Sequence, residues 1–250
     1  MAGAAGLLRY APVLILFAAW EALTVSGVVS TAMLPHLSAV GAAFLDMLAS
    51  GELLTNAARS LTRAAAGLAA AIVVGVAAGV LMARFRAFRL LVNPIVQIFY
   101  PMPKSALIPV MMIWFGLGDS SKIALIFLGC LLPVIVSAYN GARGVPPALT
   151  WSALSLGAGR ARVLVDVILR AASPEILSGI RTAVAFAFIL MVSSEFVIAK
   201  DGLGSLISSL GDGGVYPAMF AVILTVAAAG FAADRLYGAF ARRQLRWREP

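Results

Sequence analysis

Three charged residues stand inside apolar runs of this chain. They are Glu21 after Trp20, Lys104 among prolines, and Glu195 in the stretch MVSSEFVIAK. A charge at membrane depth is costly and is a functional candidate by default. If the cargo is an anion, Lys104, next to Pro103 in a proline-broken run, is a sensible attractor for it. Glu195 with its neighbour Ser194, and Glu21, could line the same passage. The competing reading is that these charges pair with each other or with backbone groups and lock the helices. Covalent or hydrolytic chemistry has no support. No paired carboxylates, nucleophile with a base, or metal cluster can be assembled. The single His36 excludes a multi-histidine site, and the single Cys130 excludes an internal disulfide. The stretch GLGDSSK (116–122) lacks the spacing of a phosphate-binding loop and follows no strand.

The elements that hold these residues are membrane spans. The chain is 62% hydrophobic and 12% charged over 250 residues, and its mean hydropathy is +0.98. A soluble domain carries about twice that share of charge. The expected fold is all-α, a polytopic membrane protein forming one domain over residues 1–250, with no soluble domain between spans. Six spans are predicted at about 11–30, 62–83, 90–116, 122–139, 180–199 and 216–236, each near the roughly 20 residues a bilayer requires. The N-terminal run is read as a retained first span.

Basic residues orient the spans. With the N-terminus in the cytoplasm, the inner segments hold Arg9, Arg84, Arg86, Arg89, Arg143, Arg160, Arg162, Arg170, Arg181 and the arginines from Arg235 to Arg248. The outer segments hold only Arg59, Arg63, Lys122 and Lys200. Both termini are therefore expected inside. Arg59 and Arg63, near the outer end of span two, are expected to snorkel to the interface. The net charge of +8 is thus a topology signal, and nucleic acid is not an expected partner.

Pro94, Pro101, Pro103 and Pro109 break span three. Broken helix survives at that depth where protein buries it or where it lines a wet cavity. Gly75 and Gly79 form a small-xxx-small pair in span two. Residues 37–50 show helical apolar spacing and suggest a short helix on the outer interface, and the Gly- and Ser-rich loop after Lys200 suggests another.

One long segment stays out of the bilayer, TWSALSLGAGRARVLVDVILRAASPEILSGIR (150–181). Pro146 and Pro147 open a short helix, and Gly157 and Gly159 end it. Arg162, Asp166 and Arg170 then fall at i, i+4 and i+8, a stripe with mutual ion-pair support. Val163, Leu164, Val167 and Ile168 face the other way. The segment reads as a helix–turn–helix elbow over about 146–178, either resting on the membrane or docking a soluble partner.

This elbow resembles the EAA loop of permease subunits of bacterial ABC importers. Ala153, Gly157, Val167 and Leu169 match its pattern, whereas Trp151, Ser152 and Arg170 replace its Glu, Ala and Pro. The resemblance extends through SLTRAAAG (60–67), PMPKSALIPVMMIWFGLGDSSK (101–122), SPEILSGIRTA (173–183) and SSEFVIAKDGLGSLI (193–207), and is strongest to the nitrate, sulfonate and taurine branch. In LPHLSAV (34–40), Pro35, His36 and Leu37 replace the usual Pro-Ser-Pro.

The resemblance implies a type I importer permease fold in the bacterial inner membrane. It implies a second copy of the chain, two cytoplasmic ATPase subunits and an extracytoplasmic substrate-binding protein as partners. It implies that ATP and Mg²⁺ sit on the ATPase, so this chain binds no cofactor and is not itself an enzyme. The elbow residues Thr150, Trp151, Ala153, Leu154, Gly157, Gly159 and Arg160 become the expected ATPase contact. The cargo implied is a small anion such as a sulfonate, taurine or nitrate. A thiamine-precursor pyrimidine or other small metabolite in the same importer class, and an ion-coupled secondary carrier, are the alternatives. The last lacks internal repeats or a proton relay in the sequence.

Overall fold

The computed structural model describes residues 2–198 and 200–248, with side chains described for 11–197 and 200–247. The side chains of Arg9 and Arg248, and residue 199 of the fifth expected span, lie outside the described residues. In order, the chain forms α1 (Ala2–Val25), α2 (Leu37–Ala49), α3 (Glu52–Arg84), α4 (Arg86–Phe99), a 3₁₀ turn (Lys104–Leu107) and α5 (Ile108–Phe115). It continues through α6 (Asp119–Arg143), α7 (Pro147–Ser155), α8 (Arg160–Arg162), a π-helical stretch (Val163–Leu169) and α9 (Arg170–Ile198). It ends with α10 (Leu203–Asp212), α11 (Tyr216–Gln244) and a 3₁₀ turn (Arg246–Arg248). No strand occurs among the described residues.

Four helical runs are long and apolar enough to cross a bilayer: α3, α6, residues 160–197, and α11. The pair formed by α4 with the 3₁₀ turn and α5 makes a fifth, bent by 97°. The apolar α1, whose described side chains begin at residue 11, stands beside them. Several expected boundaries move: the fifth span's helix begins twenty residues earlier, at Arg160, and the last span's helix runs on to Gln244. Span two begins ten residues earlier, at Glu52, and span four runs over 119–143.

The centre is α6, held between α3 and α9. Small residues permit the approach. On α3, Gly67, Ala71, Gly75 and Gly79 recur every fourth residue and are buried. A Cβ at Gly67 would stand 2.8 Å from Ile126, and one at Gly75 would stand 2.8 Å from Val134. This ladder extends the Gly75–Gly79 pair and removes bulk where van der Waals contact holds membrane helices together. On the other side of α6, a Cβ at Gly141 would meet the Ala172 carbonyl at 2.9 Å. Ile126, Cys130, Val134, Ala183 and Met191 fill the core between these helices. The Cys130 thiol donates to the Ala183 carbonyl at 3.2 Å.

A second cluster joins α2, α3, α10 and α11 through Met47, Leu53, Leu203 and Val222. Trp20 of α1 meets Phe220 edge-on, with centroids 5.1 Å apart, and its indole N–H donates to the Pro35 carbonyl at 2.8 Å. Outward faces stay apolar: Leu16, Val73 and Ile113 are 67%, 71% and 81% exposed. Such faces suit lipid.

The elbow departs from expectation. Its second arm is not a separate helix. Residues 160–197 form one helical run of 38 residues, because nothing after Gly159 breaks it, and Pro174 is accommodated within α9. The π-helical stretch 163–169 also changes the turn. Arg162, Asp166 and Arg170 stay together on the exposed side, but no ion pair joins them among the described residues. Val163 and Ile168 are buried.

Candidate functional site

The short elbow helix α7 starts on proline at its first position, where a missing N–H costs nothing. Thr150 Oγ1 donates to the Pro147 carbonyl at 2.7 Å. The helix ends because Gly157 takes φ +83°, the left-handed conformation that a bulkier residue resists. The Ala158 N–H reaches back to the Ala153 carbonyl at 3.0 Å and closes the cap. Thr150 and Ala153 are half-buried, and Thr150 lines a small cavity with Ala83, Arg84, Leu164 and Ile168. Other side chains of the elbow stand open: Trp151, Leu154 and Leu156 are 68%, 46% and 88% exposed. Gly157, Gly159 and Arg160 are also exposed. The structure thus brings all seven expected elbow residues to one end of the molecule, with five on its open surface.

At the other ends of α3 and α9 sits a charge cluster that sequence reading did not assemble. Arg63 is buried, with 4% of its surface exposed, so it does not snorkel. Its guanidinium donates to the Glu195 carboxylate at 2.8 Å, to Asp119 through Nε at 2.8 Å, and to both the backbone and the carboxylate of Asp201. Arg59 bonds the second oxygen of Asp201. Glu195 also accepts from Ser60 at 2.6 Å and from the Gly204 N–H at 3.1 Å. Lys122, expected on the outer surface, is buried and donates to the Leu117 and Gly118 carbonyls at 3.2 Å each. Gly202 has φ +109°, and a Cβ there would collide with the Glu195 carboxylate.

Arg59, Arg63 and Lys122 thus balance Asp119, Glu195 and Asp201 where α3, α6, α9 and α10 meet. Arg63 holds the Asp201 carboxyl below the usual carboxylate range, with a further contribution from Arg59. The cluster can brace helices. Nothing in it is arranged for bond chemistry, and no metal-holding group of His, Cys, Asp or Glu occurs among the described residues. Ser194 is buried next door, but its hydroxyl donates to the Met191 carbonyl at 3.0 Å and stays out of the cluster.

The other two intramembrane charges lie apart. Lys104 reaches back across the bend, and its amine donates to the carbonyls of Phe99, Tyr100 and Met102 at 2.7, 3.0 and 2.7 Å. All three ammonium donors are thereby engaged. They satisfy carbonyls freed where α4 stops before Pro101 and Pro103. Pro103 is exposed and leads into the 3₁₀ turn. Glu21 accepts from the Leu37 N–H at 2.9 Å and stands 3.4 Å from His36 Nδ1, so it caps α2 from α1. Glu21, Lys104 and Glu195 therefore form no common site.

Residues 71–246 match the family described as the binding-protein-dependent transport system inner membrane component. The chain belongs to that family. The permease is 37% identical over 190 residues to the taurine transport system permease protein TauC of Escherichia coli, covering 76% of this chain and 69% of that one. It is 32% identical over 234 residues to the putative aliphatic sulfonates transport permease protein SsuC of Bacillus subtilis, covering 94% and 85%.

Its fold is that of solved importers. An inward-facing MetNI methionine ABC transporter superposes with TM-score 0.65 at 19% identity, covering 77% of the permease and 96% of that chain. An amino acid ABC transporter gives 0.62 at 17%, covering 80% and 98%. The permease is thus an all-α ABC importer subunit of the type I fold, and its apolar helices are membrane spans.

Proposed function

We propose that the permease carries small organic sulfonates, taurine among them, across the bacterial inner membrane. It does so as a pair of identical chains with two cytoplasmic ATPase subunits and an extracytoplasmic substrate-binding protein. ATP and Mg²⁺ belong to the ATPase, and this chain supplies the path. The names of the similar TauC and SsuC proteins support the cargo class. The observation that carries the reading is α7, a helix closed at its C-terminal end by Gly157, whose Trp151 and Leu154, with Leu156 beyond them, are exposed. An apolar, aromatic patch of this kind suits a protein interface. The neighbouring ends of α3 and α6 carry Arg84 and Arg143, next to Arg160 and Arg162. This clustering favours the cytoplasm for the elbow and, with it, for both termini.

The coupling follows from helix continuity. Residues 160–197 run unbroken from the elbow turn to Glu195, a span of about 55 Å at 1.5 Å per residue. A push on α7 is delivered along this run to the Arg63 cluster at its far end. The π-helical stretch at 163–169 is the place where the run can change register. ATP-driven closure of the ATPase pair then opens the permease dimer outward, and hydrolysis returns it inward, because the docked elbow makes different contacts in the two states. Uptake of radiolabelled taurine into vesicles holding permease, ATPase and binding protein tests this. Uptake that requires ATP and all three proteins is expected, and uptake without ATP or without the ATPase contradicts it.

A further inference from the structure

The helix α4 has three faces, and one has no structural purpose within the chain. At 100° per residue, Phe88, Val92 and Val96 fall on one side and pack with Met82, Leu132 and Ile135. Leu91, Ile95 and Ile98 fall on another and are 68%, 51% and 69% exposed, which suits lipid. Between them, Arg89, Asn93, Gln97 and Tyr100 share an arc of about 80°. This polar stripe descends about 16 Å, from the basic end of the helix to the bend at Pro101.

The stripe faces α6. Asn93 and Tyr139 line two adjoining cavities of about 400 and 480 Å³. Gln97 and Tyr100 line the first, and Arg89 and Arg143 line the second. Arg143 is held in place by donating to the Tyr139 hydroxyl at 3.1 Å, with its guanidinium 5.9 Å from that ring's centroid. No acidic side chain lines either cavity. The side chains of Arg89, Asn93 and Gln97 have no hydrogen-bond or ion-pair partner among the described residues. Two arginines at the mouth and amides deeper in are the donors a tetrahedral oxyanion requires. Anionic lipid could meet the arginines at the membrane surface. It offers nothing to Gln97 and Tyr100, which would be costly facing acyl chains at their depth.

We propose that the α4–α6 groove is a water-filled oxyanion site on the cargo's path, with Gln97 and Asn93 lining the sulfonate's way from the bend and Arg89 and Arg143 drawing it to the cytoplasmic mouth. This assignment rests on the importer reading given above. It also moves the anion-attracting role from Lys104, whose donors are engaged by backbone carbonyls, to the paired arginines.

The test uses thiol reagents that are themselves small ions. Full-length Gln97→Cys and Asn93→Cys chains, co-assembled with the ATPase in vesicles, are treated with 2-sulfonatoethyl methanethiosulfonate or its trimethylammonium counterpart. The wild-type chain, with its buried Cys130, sets the background. Relative to a free thiol, the sulfonate reagent is expected to react roughly ten-fold faster than the cation. Adding Arg89→Gln and Arg143→Gln should abolish that preference. No reaction with either reagent at both positions, or a preference for the cation, overturns the proposal. So does a preference seen in phosphatidylcholine that vanishes in phosphatidylglycerol, because a lipid headgroup would then occupy the groove. Slowing of the labelling by millimolar taurine supports the sulfonate cargo. A sulfonate preference without such protection keeps the oxyanion groove and removes taurine from the proposed function.

Discussion

The Arg63 guanidinium donates to the Glu195 carboxylate at 2.8 Å, and the two side chains are 5% and 0% exposed. Their positions are 132 residues apart in the chain. Both charges are desolvated, and the pair persists because Ser60, Asp119, Asp201 and the Gly204 N–H satisfy the remaining donors and acceptors. Removing one partner strands the other. Arg63→Met is expected to destabilise the permease by about 3–5 kcal/mol, seen as a large fall in apparent melting temperature in detergent. Arg63→Met combined with Glu195→Met should recover part of that loss. A double variant no more stable than the single one contradicts the pairing as the source of stability.

Asp201 makes the same cluster sensitive to acid. Its folded pKa lies below the ordinary carboxylate value because Arg63, and then Arg59, favour the ionised form. The stabilisation is therefore fully present above the unfolded pKa of about 3.9. It is lost as pH falls through the lower folded value. Wild type should melt above Asp201→Asn at pH 6, and the gap should close below about pH 4. A gap that is constant from pH 6 to pH 3 contradicts the ion pair.

Lys104 braces the bend between α4 and α5. Lys104→Ala leaves the carbonyls of Phe99, Tyr100 and Met102 without their donor, at a cost of about 1 kcal/mol or more. Both melting temperature and uptake should fall, while the ATPase stays bound. Lost uptake with an unchanged melting temperature would instead make Lys104 a group of the pathway.

Gly202 separates packing from backbone freedom. Gly202→Ala puts a methyl group against the Glu195 carboxylate in addition to straining φ +109°. Gly157→Ala strains φ +83° but meets nothing within 4 Å. Gly202→Ala should lower the melting temperature clearly more, with Gly157→Ala costing about 1 kcal/mol. Equal losses contradict the view that the Glu195 pocket is tightly closed.

Local signals were legible in the sequence and long-range pairings were not. Pro146, Pro147 and Gly157 mark the ends of α7 because proline and glycine act on their own backbone. The prolines from Pro94 to Pro109 mark a broken span for the same reason. Arg63 reads as a snorkelling surface charge because its partners Asp119, Glu195 and Asp201 lie 56 to 138 residues away. The fusion of the elbow's second arm with α9 was hidden by Arg162, Asp166 and Arg170. Charge reports depth in the membrane and does not end a helix. The polar stripe on α4 shows in the periodicity of Arg89, Asn93 and Gln97, but the groove it faces needs Tyr139 and Arg143 from α6.

The most direct test of the account is recovery of the ATPase by affinity-purified permease carrying Leu154→Asp. Leu154 and its neighbour Trp151 are exposed in the single chain, so the substitution should leave expression and melting temperature near those of wild type. The account predicts that the purified permease loses the ATPase and that vesicle uptake of taurine stops. Full recovery of the ATPase together with undiminished ATP-driven uptake would contradict it.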